Sequence, residues 1–129
     1  MVLKSEKDVK RKVKQLLDKY DWFWWCPAAN AYGKSGVSDF CALKHGVFMV
    51  IETKFGSNGC TPLQKQFIES IWASKGQGFV VNDQNLDQLE IWLQRFDESV
   101  EAVASQGQMP NVAGAEMLDA VNAMLEGIR

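Results

Sequence analysis

A mixed α/β domain, with helices on the faces of a small sheet, is the fold class this sequence predicts. Three observations carry it. Residues 5–20 and 62–75 repeat apolar side chains at helical spacing. Between them, Val37–Leu43 and Val47–Thr53 are β-type runs flanking a short turn at Lys44-His45-Gly46. A further apolar run, Gly78–Val81, separates the second helix from a third. The resulting order is helix, three strands, helix, strand, helix, plus a C-terminal helix, which suits a mixed sheet flanked by helices.

In chain order, Ser5 caps a first helix running to about Tyr20, with Val9, Val13, Leu16, Leu17 and Tyr20 as its core stripe. Asp21–Pro27 is a short aromatic strand that stops at Pro27. Its tryptophans favour a core or interface role over stacking of bases. Residues 28–35 form a loop whose Gly33-Lys34-Ser35 lacks the upstream glycine of a phosphate loop. Thr61 reads as an N-cap, Pro62 as the first helical residue and Gln64 as the partner in a T-x-x-Q capping box. That helix runs to about Lys75, with Leu63, Phe67, Ile71 and Ser74 on one face, and Gly76 stops it. Asn82 or Asp83 starts a third helix, whose Leu86, Leu89, Trp92, Leu93, Phe96 and Val100 form a wide apolar face. Residues 106–114 are a linker, and a last helix spans about 115–126. That last helix packs on its own domain or, second, forms a subunit interface.

A chain of 129 residues predicts one domain, with a core over about 5–95 and a helical extension over about 96–129. At 47% hydrophobic and 23% charged it reads as globular and soluble. No apolar run is long enough to span a bilayer and no signal segment follows Met1. Cys26, Cys41 and Cys60 are odd in number and widely spaced, with one histidine in the chain, so a zinc site is not expected and a reducing cytoplasm is. The net charge of −2 hides a division: residues 1–75 carry 12 Lys/Arg and 7 Asp/Glu, residues 76–129 carry 2 and 9. Such a polarised chain can present phosphates with a basic face; a solvated helix surface is the other reading of the same lysines.

The hairpin concentrates the chemistry. A turn on His45-Gly46 pairs Lys44 with Val47 and sets Asp39 opposite Glu52. Side chains alternate along a strand, so Glu52 and Lys54 point the same way. Glu52 ends the apolar run Val47–Ile51, which has the character of a buried strand. A carboxylate there needs a cation or several donors. A divalent metal such as Mg²⁺ is one answer; an ion pair of Lys54 with Glu52 or Asp39 is the other.

Gly36-x-Ser38-Asp39, about a dozen residues, then Glu52-Thr53-Lys54 resembles the PD-(D/E)XK nuclease signature, with Ser38 in place of its proline. Thr61-Pro62-Leu63-Gln64, an amphipathic helix and Gly-x-Gly-Phe-Val-Val narrow the resemblance to the VRR-NUC branch, over roughly residues 5–95. The resemblance implies an α-β-β-β-α-β core and hydrolysis of phosphodiester bonds with Mg²⁺ or Mn²⁺. Asp39, Glu52 and the Thr53 backbone carbonyl would hold the ion, and Lys54 would position the attacking water or stabilise the phosphate. Glu6 matches an acidic residue of the first helix and would bind a second ion or orient its water, although it also suits the helix dipole. Gln64 would reach the site, or only close its helix. Lys4, Lys7, Lys10, Arg11, Lys14 and Lys34 are the expected DNA contacts. Stand-alone domains of this kind resemble virus- and bacterium-encoded Holliday junction resolvases, so a homodimer acting on four-way DNA junctions is expected. A flap or restriction-type nuclease is the nearest alternative, and a non-catalytic DNA-binding module the competing class.

Overall fold

The computed structural model describes residues 2–28 and 36–105. Their order is α1 (Glu6–Lys19), β1 (Phe23–Trp25), β2 (Phe40–Lys44), β3 (Val47–Thr53), α2 (Pro62–Ala73), β4 (Gln77–Val81) and α3 (Leu86–Ser105). The fold is mixed α/β: a four-stranded, mostly antiparallel sheet with three helices. Strand order follows chain order, with β1–β2 and β2–β3 antiparallel and β3–β4 parallel. A parallel pair needs a crossover, and α2 provides it. Lys34, the linker and the last helix lie outside the described residues. Among the described residues no helix is long and apolar enough to cross a membrane.

Alternation along the strands divides the core between two sheet faces. Val47, Met49 and Ile51 of β3, with Phe40 and Ala42 of β2, pack against Val9, Val13 and Leu17 of α1 and against Leu89, Trp92, Leu93 and Phe96 of α3. Val50 and Cys41 face the other way, onto Ile68 of α2 with Phe48, Phe67, Ile71 and Trp72 around them. The aromatic segment splits in the same fashion. Trp22 is buried against Trp92 and Phe96. Trp24 meets Phe40 edge-on and donates its indole N–H to Asp18 Oδ1 at 2.7 Å. Phe23 and Trp25 lie on the opposite face, Phe23 largely exposed.

The hairpin keeps the expected register, with Lys44 against Val47 and Phe40 against Ile51. His45 and Gly46 both have positive φ, 51° and 80°, as a two-residue turn matched to strand twist requires. The strand expected over Val37–Leu43 begins only at Phe40. Gly36, at φ 74°, brings the chain against the start of α2, where a Cβ would stand 2.5 Å from the Leu63 carbonyl carbon and oxygen. That approach draws residues 36–39 out of the ladder.

Two helix ends depart from the glycine rule. After α2, Lys75 takes the left-handed position at φ 72°, its N–H bonds the Trp72 carbonyl, and the Gly76 N–H bonds the Ile71 carbonyl. Gly76 serves close packing instead: a Cβ there would meet the Ile71 side chain at 2.7 Å. Asp21 ends α1 in the same way at φ 59°. The expected apolar face of α2 is corrected by one position. Leu63 is 53% exposed, while Ile68 is buried with Phe67, Ile71 and Trp72 partly so. The stripe through 64, 68 and 71 faces the sheet, so Gln64 points inward. The third helix starts at Leu86, later than expected, because Asn82 and Asn85 bond each other's backbone in a preceding turn.

Candidate active site

The carboxyl end of a parallel strand pair is where open α/β sheets offer a ligand site. Glu52, Thr53 and Lys54 close β3 there, with the Lys54 N–H bonded to the Val81 carbonyl of β4 at 2.9 Å. Asp39 approaches from β2, Gln64 from the first turn of α2, and Glu6 and Lys10 from α1. A cleft of about 460 Å³ lined by Trp72, Phe79 and Trp92 opens elsewhere, between α2 and α3 over β4.

Glu52 is the most constrained of these groups. It is 3% exposed. Its Oε1 accepts the Gln64 Nε2–H at 3.0 Å and lies 3.6 Å from Lys54 Nζ. Its Oε2 is buried with no hydrogen-bond partner. Burial and then the neighbouring negative charge of Asp39 push the Glu52 carboxyl up to about 7, against the pull of Lys54. A buried carboxylate with one oxygen unserved and a second carboxylate beside it is short of positive charge.

Asp39 sits one residue outside the ladder. Its Oδ2 accepts two bonds from Thr53, the backbone N–H at 2.8 Å and the hydroxyl at 2.6 Å. Its Oδ1 is 3.7 Å from Lys10 Nζ, and the same ammonium is 3.5 Å from Glu6 Oε2. Glu6 thus stands near Asp39, with Lys10 between them.

Gln64 closes its helix and also bonds Glu52 and Lys54. Its N–H bonds Thr61 Oγ1 at 3.2 Å and its Oε1 accepts the Thr61 N–H at 2.9 Å, a complete capping box. The same Oε1 takes Lys54 Nζ at 3.0 Å while Nε2 holds Glu52. One amide therefore ties the helix start to both charged side chains at the carboxyl end of β3.

Sequence reasoning missed two features. The Thr53 hydroxyl bonds the Asp39 carboxylate; a threonine between Glu and Lys signals a β-strand and conceals that second use. Lys10 stands between carboxylates, although its sequence neighbours mark it as one of many surface lysines. Of the remaining expected DNA contacts, Lys4, Lys7 and Lys14 are exposed. Arg11 is paired with Asp8 at 2.6 Å. Lys7, Lys10 and Lys14 share a stripe of α1 by helical spacing, which Lys10 orients toward the carboxylates.

Among the described residues no three Asp, Glu, His or Cys side chains converge on one point. The donor set nonetheless fits a hard divalent cation. The carboxylates of Asp39 and Glu52 offer oxygen, one of those oxygens is buried and unpartnered, and such ions complete their shell with backbone carbonyls and water. The chain matches no family model, no curated protein and no solved structure.

Proposed function

We propose that this chain is a divalent-metal-dependent, structure-selective DNA endonuclease on a PD-(D/E)XK core, with the four-way junction as its substrate. The observation that carries the reading is the buried Glu52, its Oε2 unpartnered, beside Asp39 and within 3.6 Å of the Lys54 ammonium. Asp39, Glu52 and the Thr53 carbonyl would hold Mg²⁺ or Mn²⁺. The ion, when bound, supplies the charge that makes hydroxide available near neutral pH and neutralises the scissile phosphate.

The chain's own groups prepare the rest. Thr53 fixes the Asp39 carboxylate with two donors to one oxygen, leaving the other to face α1. Gln64 fixes Glu52 and Lys54 relative to each other. Lys54, a compact ammonium with three donors, bonds Gln64 through one and can present another to the attacking water or to a phosphate oxygen. Hydrolysis forms a bond from water oxygen to phosphorus and breaks the bond to a sugar oxygen, and Lys54 stabilises the negative charge gathered between them. The Lys7–Lys10–Lys14 stripe offers phosphate contacts leading to the site.

The test is incubation of the full chain with labelled four-way junction, flap, linear duplex and single-stranded DNA, each in Mg²⁺, in Mn²⁺ and in EDTA. Paired, metal-dependent nicks near the junction crossover are expected. Cutting of flaps or duplex alone would keep the chemistry and replace the substrate. No cutting of any DNA with either metal would overturn the reading in favour of a binding module.

A further inference from the structure

We propose that the site takes one divalent ion per chain, and that the Lys10 ammonium, held between Glu6 and Asp39, fills the place a second ion would take. The inference rests on the reading of Asp39 and Glu52 as a metal centre, and specifies its stoichiometry.

The argument begins with where positive charge is lacking and where it is not. Glu52 Oε2 is buried and unpartnered, so a cation is wanted at that oxygen. On the α1 side, Lys10 Nζ already lies 3.5 Å from Glu6 Oε2 and 3.7 Å from Asp39 Oδ1. The second Asp39 oxygen is bonded twice by Thr53, so Oδ1 is the oxygen through which Asp39 faces α1. An ion bound between Glu6 and Asp39 would therefore have to displace Lys10 or lie against its ammonium. Paired catalytic ions stand about 3.5–4 Å apart and share ligands, leaving no room for an ammonium between the carboxylates that would bind the second.

The position of Lys10 follows from the sequence. Glu6 and Lys10 are four residues apart on α1, with the acid toward the N-terminus, the favoured order for such a pair. Val9 and Val13 bury the adjoining face of α1 and fix its rotation over the sheet. Glu6 on this account is a positioning residue: it tethers Lys10 and does not ligate an ion. Lys10 of α1 and Lys54, which bonds Gln64 of α2, then flank the carboxylate pair, so a phosphate seated over it meets two ammonium groups.

Mn²⁺ binding to the full chain without DNA, followed by electron paramagnetic resonance, tests this. The Asp39→Asn/Glu52→Gln double variant supplies the baseline for ions held elsewhere on the chain. Wild type should bind one equivalent above baseline with the spectrum of an isolated ion. Lys10→Ala should bind two, with the spectrum of an exchange-coupled pair. Lys10→Arg should return to one, and Lys10→Ala/Glu6→Gln should also bind one. Two equivalents in wild type, or one in Lys10→Ala, would overturn the inference and leave the metal centre standing. No equivalent above baseline in any variant would overturn the metal centre itself, and the inference with it.

Discussion

Replacing Glu52 by glutamine should stabilise the metal-free protein at alkaline pH. The native carboxyl titrates at about 7 against 4.5 in its ordinary environment. Between those values the folded state binds more protons than the unfolded one, so stability falls as pH rises through the window. The full penalty is present above pH 7 and is absent below about 4.5. A rise from 4.5 to about 7, at about 1.4 kcal/mol per unit, sets the penalty at about 3 kcal/mol. Glutamine keeps an acceptor oxygen for the Gln64 amide and removes the buried charge. Urea denaturation followed by tryptophan fluorescence at pH 8 in EDTA should therefore place Glu52→Gln up to about 3 kcal/mol above wild type, roughly 10 °C in Tm for a chain of this size. At pH 4.5 the two should converge. Mn²⁺ at about 1,000 times Kd should reverse the order, because wild type alone gains binding energy, about 4.1 kcal/mol. A Glu52→Gln protein no more stable than wild type at pH 8, or a difference independent of pH, would refute the claim that Glu52 is held short of positive charge.

Three further outcomes follow from particular contacts. Gln64→Ala should cost about 1 kcal/mol of stability through the lost capping box, measured by urea denaturation. Because it also frees Glu52 and Lys54, it should slow cleavage beyond what Thr61→Ala, which breaks only the cap, does in the same assay. Gly36→Ala should destabilise by about 1–3 kcal/mol through its left-handed backbone alone, with a further loss from the clash with Leu63, measured in the same denaturation series. Lys7→Ala/Lys14→Ala should leave stability unchanged and lower the slope of log affinity for DNA against log salt by about 0.9 per lost phosphate contact.

How much of this could be read from the sequence varies with the range of the interaction responsible. The hairpin register was legible from Lys44–Val47 to Phe40–Ile51 because a two-residue turn fixes it and His45-Gly46 supplies the required positive φ values; the expected Asp39–Glu52 pairing lies beyond the ladder, where Gly36 draws the chain toward α2. The capping box was legible because it lies within four consecutive residues. The face of α2 was not. Leu63 belongs to the apolar periodicity, yet Gly36 meets its carbonyl group from 27 positions upstream and the side chain turns outward. The helix ends were half legible: glycine marked the region after α2, but Lys75 took the left-handed position and Gly76 the tight contact.

At the site, Glu52 and Lys54 were legible from the oddity of charge at the end of an apolar strand, whereas Asp39 bonds Thr53 and does not pair with the Glu52 that the register sets opposite it. Glu6 was placed near them by helical spacing. Lys10 as their neighbour was hidden among six basic residues on one helix, and only the packing of Val9 and Val13 selects it. The exposed edge of the aromatic strand shows the same limit. Four aromatic residues in a row gave no sign of which would be buried until strand alternation assigned Trp22 and Trp24 to one face and Phe23 and Trp25 to the other.

Single-turnover cleavage of a four-way junction in Mg²⁺, by wild type, Asp39→Ala and Lys54→Ala, tests the central claim most directly. Circular dichroism should show all three folded. The account predicts that each variant loses at least about 100-fold in rate, the scale of one transition-state donor or ligand. Cleavage by folded Lys54→Ala and Asp39→Ala at the wild-type rate would contradict it, and would move the chemistry away from the end of β3.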